Sequence, residues 1–229
     1  MTKKKRKRVK EPESPLAGFI RRHPKLGRRL GIAAALAAAF VAFWFVADPL
    51  GSGFTAIDEN GEEVRAGIID GAPNASARAG RPAPNFLLPD YERQAVRLDQ
   101  FDGKVVFVNF WASWCGPCER EMPFIQRLAG QFPDDVVVLA VNRGESEGVA
   151  TGWTRSRNFR EDLPNFYWLR DERESVFREY QRGSGMPQSY FIDRNGIVRE
   201  TIARGMEYDE MVAIVQSTIG ASVTNLSSN

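Results

Sequence analysis

Cysteine and histidine are scarce in this chain of 229 residues, which has two cysteines and one histidine. A structural zinc site usually takes four cysteine or histidine ligands. No second cysteine pair exists, and the single histidine, His23, lies in a basic N-terminal segment far from Cys115 and Cys118 in the sequence. The composition therefore argues against a metal centre, and the two cysteines are the first candidates for chemistry.

The two cysteines form a Cys-Gly-Pro-Cys motif directly after the apolar run 105–111. This pattern predicts a strand that ends just before a helix begins. A helix N-terminus presents unpaired N–H groups and the positive end of the dipole, which favour the thiolate of Cys115. Gly116 adds no bulk, and Pro117 needs no N–H in a first helical turn. A purely stabilising disulfide is the alternative, but its small loop would restrain the unfolded chain little.

A long uncharged segment, residues 30–47, predicts a single transmembrane helix, because its 18 residues span about 27 Å as a helix. Residues 1–29 carry twelve Lys and Arg against two Glu, a formal charge of +10. The positive-inside rule therefore predicts a cytoplasmic N-terminus and an extracytoplasmic C-terminal domain. A cleaved signal peptide is the rival interpretation, although the leader is long and lacks a small residue at position 45. We interpret the basic run as orienting the anchor and not as binding nucleic acid.

The remaining chain divides into a linker over residues 48–80, one domain over residues 81–220 and a tail over residues 221–229. The linker is rich in Gly, Ala and Pro, with a predicted turn at residues 60–61. Hydrophobic periodicity predicts that strands and helices alternate in the domain, which therefore has an α/β fold. The predicted strands are 86–88, 96–98, 105–110, 136–141, 166–169, 189–193 and 197–203, and the predicted helices are 116–130, 148–160, 174–181 and 207–219.

From about residue 81 to residue 220 the chain resembles the membrane-anchored thioredoxin-like family that includes the TlpA, ResA and CcmG/DsbE type proteins. The resemblance rests on the segments Arg-Pro-Ala-Pro-Asn-Phe at 81–86, Gly-Lys-Val-Val-Phe-Val-Asn-Phe-Trp-Ala-Ser-Trp-Cys-Gly-Pro-Cys at 103–118, Glu-Arg-Glu-Met-Pro at 119–123 and Met-Pro at 186–187. It implies a thioredoxin-like fold, in which a central mixed β-sheet is flanked by helices.

The resemblance also implies roles for particular residues. Cys115 and Cys118 would be the catalytic pair, and Glu121 would exchange a proton with the second thiol. A solvated first-turn carboxylate that is stabilised by the helix dipole is the other interpretation of Glu121. Pro187 would follow a cis peptide bond opposite the sulfurs, with the Met186 backbone free to pair with a peptide. The substrate-binding residues would be Trp114, Gly116, Pro117, Met186 and Pro187.

The sequence thus predicts a thiol–disulfide oxidoreductase that is tethered to the outer face of the cytoplasmic membrane and reduces exported protein disulfides. Its redox-active disulfide would be its only redox group, with no bound cofactor or metal. The resemblance implies that its partners are protein disulfides, such as those of apocytochrome c or a copper-site protein, and a membrane thiol-electron donor. The lipid bilayer is the expected partner of residues 30–47.

Two other functions stay open at this point. A peroxiredoxin-type peroxidase has the same fold, but the chain lacks the Pro-x-x-x-Thr-x-x-Cys context expected for its reactive cysteine. A copper-handling or interaction domain without redox turnover would usually have a histidine near the cysteines, and no histidine follows His23.

Overall fold

The computed structural model describes residues 54–70 and 77–224. The predicted cytoplasmic segment and transmembrane helix, residues 1–47, lie outside this part of the chain. Among the residues that are described, none of the helices has the length and apolar character needed to span a bilayer.

Ten strands and four α-helices make up the described chain, with a short 3₁₀ turn at Asp99–Phe101. The strands are β1 (Thr55–Ile57), β2 (Glu63–Arg65), β3 (Gly67–Asp70), β4 (Asn85–Pro89), β5 (Ala95–Arg97), β6 (Val105–Trp111), β7 (Val136–Arg143), β8 (Phe166–Asp171), β9 (Gln188–Ile192) and β10 (Val198–Ile202). The helices are α1 (Gly116–Gln131), α2 (Glu147–Ser156), α3 (Ser175–Tyr180) and α4 (Tyr208–Thr224).

The central sheet has the strand order β10-β9-β6-β7-β8. Strands β6, β7 and β8 are parallel, whereas β9 is antiparallel to β6 and β10 is antiparallel to β9. All residues of β6 are buried, as expected for a strand covered on both faces. The prediction of a thioredoxin-like α/β fold with a central mixed sheet is therefore confirmed.

Alternate residues of β6 contribute to two apolar clusters on opposite faces of the sheet. Phe107 packs in a cluster with residues of α1, α2 and α4, such as Met122 and Val215. Phe110 packs in the other cluster with Phe177 of α3 and with residues of β4. Helices thus cover one face, while α3 and the three-stranded sheet β3-β4-β5 cover the other.

The carboxyl end of β6 brings together two distant parts of the chain. Strand β6 ends at Trp111, and α1 begins at Gly116 after a four-residue turn. Strand β9 begins at Gln188, whose register partner on β6 is Phe110. The cysteine motif and the proline segment before β9 consequently lie at the same end of the sheet.

Three segments differ from the sequence-based expectation. The helix predicted over 148–160 ends at Ser156, and Asn158 has a left-handed backbone with φ of 53°. Helix α4 continues to Thr224, beyond Gly220. Strand β3 lies in the predicted linker. It pairs with β4 and so extends that sheet by one strand.

Three hairpin turns in the described chain share one hydrogen-bonding arrangement. An aspartate opens each turn, and its Oδ1 accepts N–H bonds of 2.8–3.0 Å from the residues two and four positions later. The residue three positions later has a positive φ of 82°, 66° or 73°. The aspartates are Asp58, Asp90 and Asp193, and the residues with positive φ are Gly61, Arg93 and Gly196. Such side-chain bonds are the usual reason that aspartate favours turns.

Replacing Gly196 by alanine should lower the free energy of unfolding by about 1 kcal/mol, because φ of 73° is unfavourable for a residue with a Cβ. An added Cβ would have no atom within 4 Å, so the loss would come from the backbone alone. Gly152→Ala in α2 is the matched control, since it meets no close atom either and should stabilise by about 0.5–1 kcal/mol. Urea unfolding of both variants measures the difference. Equal effects of the two substitutions would contradict the backbone argument.

Candidate active site

Cys115 caps the N-terminus of α1. Its backbone is extended, with φ of −91°, and its Sγ accepts a hydrogen bond from the Cys118 N–H at 3.2 Å. Cys115 and Cys118 are joined by a disulfide. The N-terminus of α1 therefore donates an N–H to the first sulfur, and Cys115 lies at the helix start as the sequence predicted.

The disulfide lies just beneath the protein surface. Cys115 is 3% exposed, and Cys118 is fully buried. Gly116 and Pro117 are exposed, and Trp114 is 64% exposed, which is unusual for so large an apolar side chain. A reaction partner can thus approach over the two residues between the cysteines, with Trp114 beside them. The roles of these residues in binding substrate stay predictions.

The turn before Cys115 is held by a carboxylate from the next loop of the sheet. Glu145, between β7 and α2, accepts hydrogen bonds from the Ser113 N–H at 2.8 Å and the Ser113 hydroxyl at 2.5 Å. Asn142 donates a third bond to it, at 2.7 Å. Glu145 could not be recognised from the sequence, because no local spacing links it to a turn 32 residues earlier.

The Met186–Pro187 peptide bond is cis. Pro187 is buried, and Met186 is partly buried against the apolar cluster that contains both cysteines. The structure thus brings the predicted proline segment to the same end of the sheet as the disulfide. Pairing of the Met186 backbone with a peptide stays a prediction.

Glu121, one turn after Cys118 on α1, is 2% exposed and hydrogen-bonded at both oxygens. Asn109 of β6 donates to Oε1 at 2.9 Å, and the Met206 N–H donates to Oε2 at 3.1 Å. Asn109 also donates to the Ser189 hydroxyl at 3.0 Å. The interpretation of Glu121 as a solvated carboxylate is therefore wrong, while its role in proton exchange stays a prediction.

Burial raises the pKa of the Glu121 carboxyl to about 7, although the bonds from Asn109 and Met206 oppose the shift. The carboxyl lines a cleft of about 570 Å³, which Pro117 and Arg120 also line. The cleft therefore connects the region between the two cysteines with a carboxyl group that can hold or release a proton near neutral pH.

A thioredoxin-like sheet with a Cys-x-x-Cys disulfide at a helix N-terminus defines a thiol–disulfide oxidoreductase. Residues 79–201 match the AhpC/TSA family. The chain is 35% identical over 140 residues to the thiol-disulfide oxidoreductase ResA of Geobacillus thermodenitrificans, a match covering 60% of this chain and 76% of that protein. The chain belongs to the AhpC/TSA family, and its relatives identify it as a thioredoxin-like protein of the TlpA/ResA/CcmG type.

Two of the solved structures with a similar fold are also at least 30% identical to this chain in sequence. One, assigned as the thiol:disulfide interchange protein DsbE of Chlorobium tepidum, is 31% identical, with a TM-score of 0.54 over 64% of this chain and 99% of that one. The other is the exposed lipoprotein thioredoxin Etrx1 of Streptococcus pneumoniae, 30% identical, with a TM-score of 0.51 over 58% of this chain and 98% of that one.

The buried Glu121 should make the stability of the oxidised protein fall as pH rises. The unfolded carboxyl ionises near pH 4.5, but the folded one only near pH 7, so the unfolded state binds fewer protons between these values. The free energy of unfolding should therefore fall by about 3 kcal/mol between pH 4.5 and pH 7 and stay level above pH 7. Denaturant unfolding from pH 4 to 8 measures the slope.

Glu121→Gln is the control for this slope, because glutamine does not titrate. Relative to the wild type, the variant should gain stability steadily from pH 4.5 to 7. Parallel pH profiles of the two proteins would show that Glu121 does not cause the loss.

Proposed function

We propose that this protein reduces disulfides in exported proteins, from a position tethered to the outer face of the cytoplasmic membrane. The observation that carries the proposal is the Cys115–Cys118 disulfide at the N-terminus of α1, just beneath an exposed surface that includes Trp114. The relatives named as thiol-disulfide oxidoreductases support the same chemistry.

In the proposed cycle the reduced Cys115 thiolate attacks one sulfur of a substrate disulfide. The substrate S–S bond breaks, a mixed disulfide forms, and the first substrate sulfur leaves as a thiolate. The Cys118 thiolate then attacks the Cys115 sulfur and releases the second substrate sulfur. The substrate gains two electrons and two protons, and the enzyme is left with its own disulfide. An external dithiol donor must then reduce it again.

Glu121 is proposed to accept the proton of Cys118 when this thiol becomes the attacking thiolate. The two residues are three positions apart on α1 and therefore share one face of the helix. Cys118 is fully buried, so its proton needs an internal acceptor. A carboxyl with a pKa of about 7 is suited to accept and release that proton near neutral pH. The adjoining cleft gives the proton a way to the solvent.

The location and the partners are inferred from the sequence and the relatives. The uncharged segment 30–47 and the +10 charge before it support a single membrane anchor with the domain outside. The Streptococcus pneumoniae relative is described as an exposed lipoprotein, which is consistent with an extracytoplasmic domain. By family resemblance the substrates are apocytochrome c or a copper-site protein, and the electron donor is a membrane dithiol protein. No bound cofactor takes part in the proposed reaction.

Cys118→Ser in the full chain should accumulate a mixed disulfide at Cys115, because the resolving thiol is absent. The substrate would be a peptide with an oxidised Cys-x-x-Cys-His segment, the haem-attachment motif of c-type cytochromes. Non-reducing gels and mass spectrometry should find the adduct on Cys115.

Two proteins serve as references for the trapping experiment. Cys115→Ser should form no adduct and should lose disulfide reduction completely, while the wild type should reduce the peptide with turnover when a dithiol regenerates it. If the reduced wild type consumed hydrogen peroxide rapidly and left the peptide oxidised, the protein would be a peroxidase instead.

The reduction potential of the Cys115–Cys118 pair should lie nearer to about −270 mV, the value of thioredoxin, than to about −120 mV, the value of DsbA. We expect this because Gly116-Pro117 is the pair found between the cysteines of thioredoxin. Equilibration of the full chain in dithiol redox buffers, followed by alkylation and mass analysis, gives the potential. A value at the oxidising end would mean that the protein introduces disulfides.

A further inference from the structure

Gln188 is the first residue of β9 and directly follows the cis bond at Pro187. It is only 1% exposed. A primary amide has two donor and two acceptor positions, and burying it is unfavourable unless these positions are paired. The hydrogen-bond partners of Gln188 therefore indicate what its amide group does at this position.

The Gln188 amide is bonded chiefly to the backbone of the loop that precedes it. Its Oε1 accepts the Arg182 N–H at 2.8 Å. Its Nε2 donates to the Gly183 carbonyl at 3.2 Å and to the Gly185 carbonyl at 2.8 Å. These partners fix the orientation of the amide. A flipped amide would place its nitrogen against the Arg182 N–H and its oxygen against the two carbonyl oxygens.

A second contact connects the amide to the core. The Tyr190 hydroxyl lies 2.9 Å from Gln188 Oε1 and also reaches the carbonyl of Tyr180 at the end of α3. Both tyrosines are buried. Gln188 thus joins the loop to the buried tyrosines of the core.

Apart from the Gln188 bonds, the loop from Arg182 to Met186 is held at its end, where Met186 packs against both apolar clusters. It contains Gly183, with φ of 78°, and Gly185, which is exposed. Its residues make no backbone-to-backbone hydrogen bond with any other part of the described chain. Glycine has a large conformational freedom to lose on ordering, so such a loop needs an external restraint.

We propose that Gln188 is a positioning residue, which holds the loop Arg182–Met186 so that the Met186 backbone is presented to an extended segment of a protein substrate. This inference rests on the proposed function. It predicts that Gln188 matters for disulfides carried on a peptide, which can pair with the loop, and not for small disulfides that contact only the sulfurs.

The test compares the full-length wild type with Gln188→Met, which keeps the side-chain length but removes the amide. KM for the oxidised Cys-x-x-Cys-His peptide should rise about tenfold, the equivalent of one lost hydrogen bond, with kcat little changed. The rate with DTNB, a small aromatic disulfide, should stay within about twofold. Gln216→Met, at an exposed position of α4, is the matched control and should change neither value.

Gln188→Glu provides a second variant if the methionine protein folds poorly. An ionised carboxylate would face the two glycine carbonyls and lose both donor bonds, whereas the protonated acid restores one of them. Peptide binding should therefore recover towards low pH, relative to the wild type at the same pH. A merely structural loss would lower the DTNB rate as much as peptide reduction, and a failure of peptide binding to recover at low pH would overturn the proposal.

Hydrogen exchange tests the positioning without relying on activity. The Arg182 N–H, which loses its acceptor, should exchange at least about tenfold faster in Gln188→Met. Unchanged exchange would overturn the proposal, and so would equal losses with the peptide and with DTNB, or faster exchange with an unchanged KM. If the wild type itself reduced no disulfide, the proposed function would fail, and the exchange rates would then show the inference about the loop to be right or wrong.

Discussion

The structure depends on the carboxyl end of β6, where the hydrogen bonding of the strand ends and helix α1 begins. Along β6 every residue is buried, and the strand is paired on both sides, with β7 and β9. Past Trp111 this pairing ends, and within four residues α1 begins with unpaired N–H groups of its own. The first cysteine lies at this change of hydrogen bonding, so the burial that makes the sheet stable also fixes the sulfur at a helix N-terminus.

Contacts that are local in sequence, or that follow from strand periodicity, could be predicted. The apolar run 105–111 marks a strand buried on both faces, and Cys-Gly-Pro-Cys marks the helix start, so sheet, helix and disulfide follow from short patterns. The Asn-Gly pair at residues 195–196 likewise marks the final hairpin. The helix over 148–160 was predicted too long, because Asn158 takes a left-handed backbone without a glycine or proline to signal it.

The polar groups that hold the site could not be predicted, because their partners are far apart in sequence. Glu145 supports the turn at Ser113 from 32 residues away, and the Met206 N–H reaches Glu121 across 85 residues. Acidic side chains at such positions look like ordinary surface residues until the fold shows what they contact. Only the resemblance to a family singled out Glu121, and it could not decide between a buried and a solvated carboxyl.

Buried polar side chains accumulate at this end of the sheet although they oppose stability there. Asn109, Glu121 and Ser189 form one hydrogen-bonded group beneath the disulfide, and the Asn109 Oδ1 has no partner among the described atoms. An apolar core would be more stable, since an unpaired buried acceptor costs about 1–3 kcal/mol. A site that must move a proton to and from a buried thiol needs a titratable group inside the protein. The polar cluster therefore fits a functional demand that packing alone would not create.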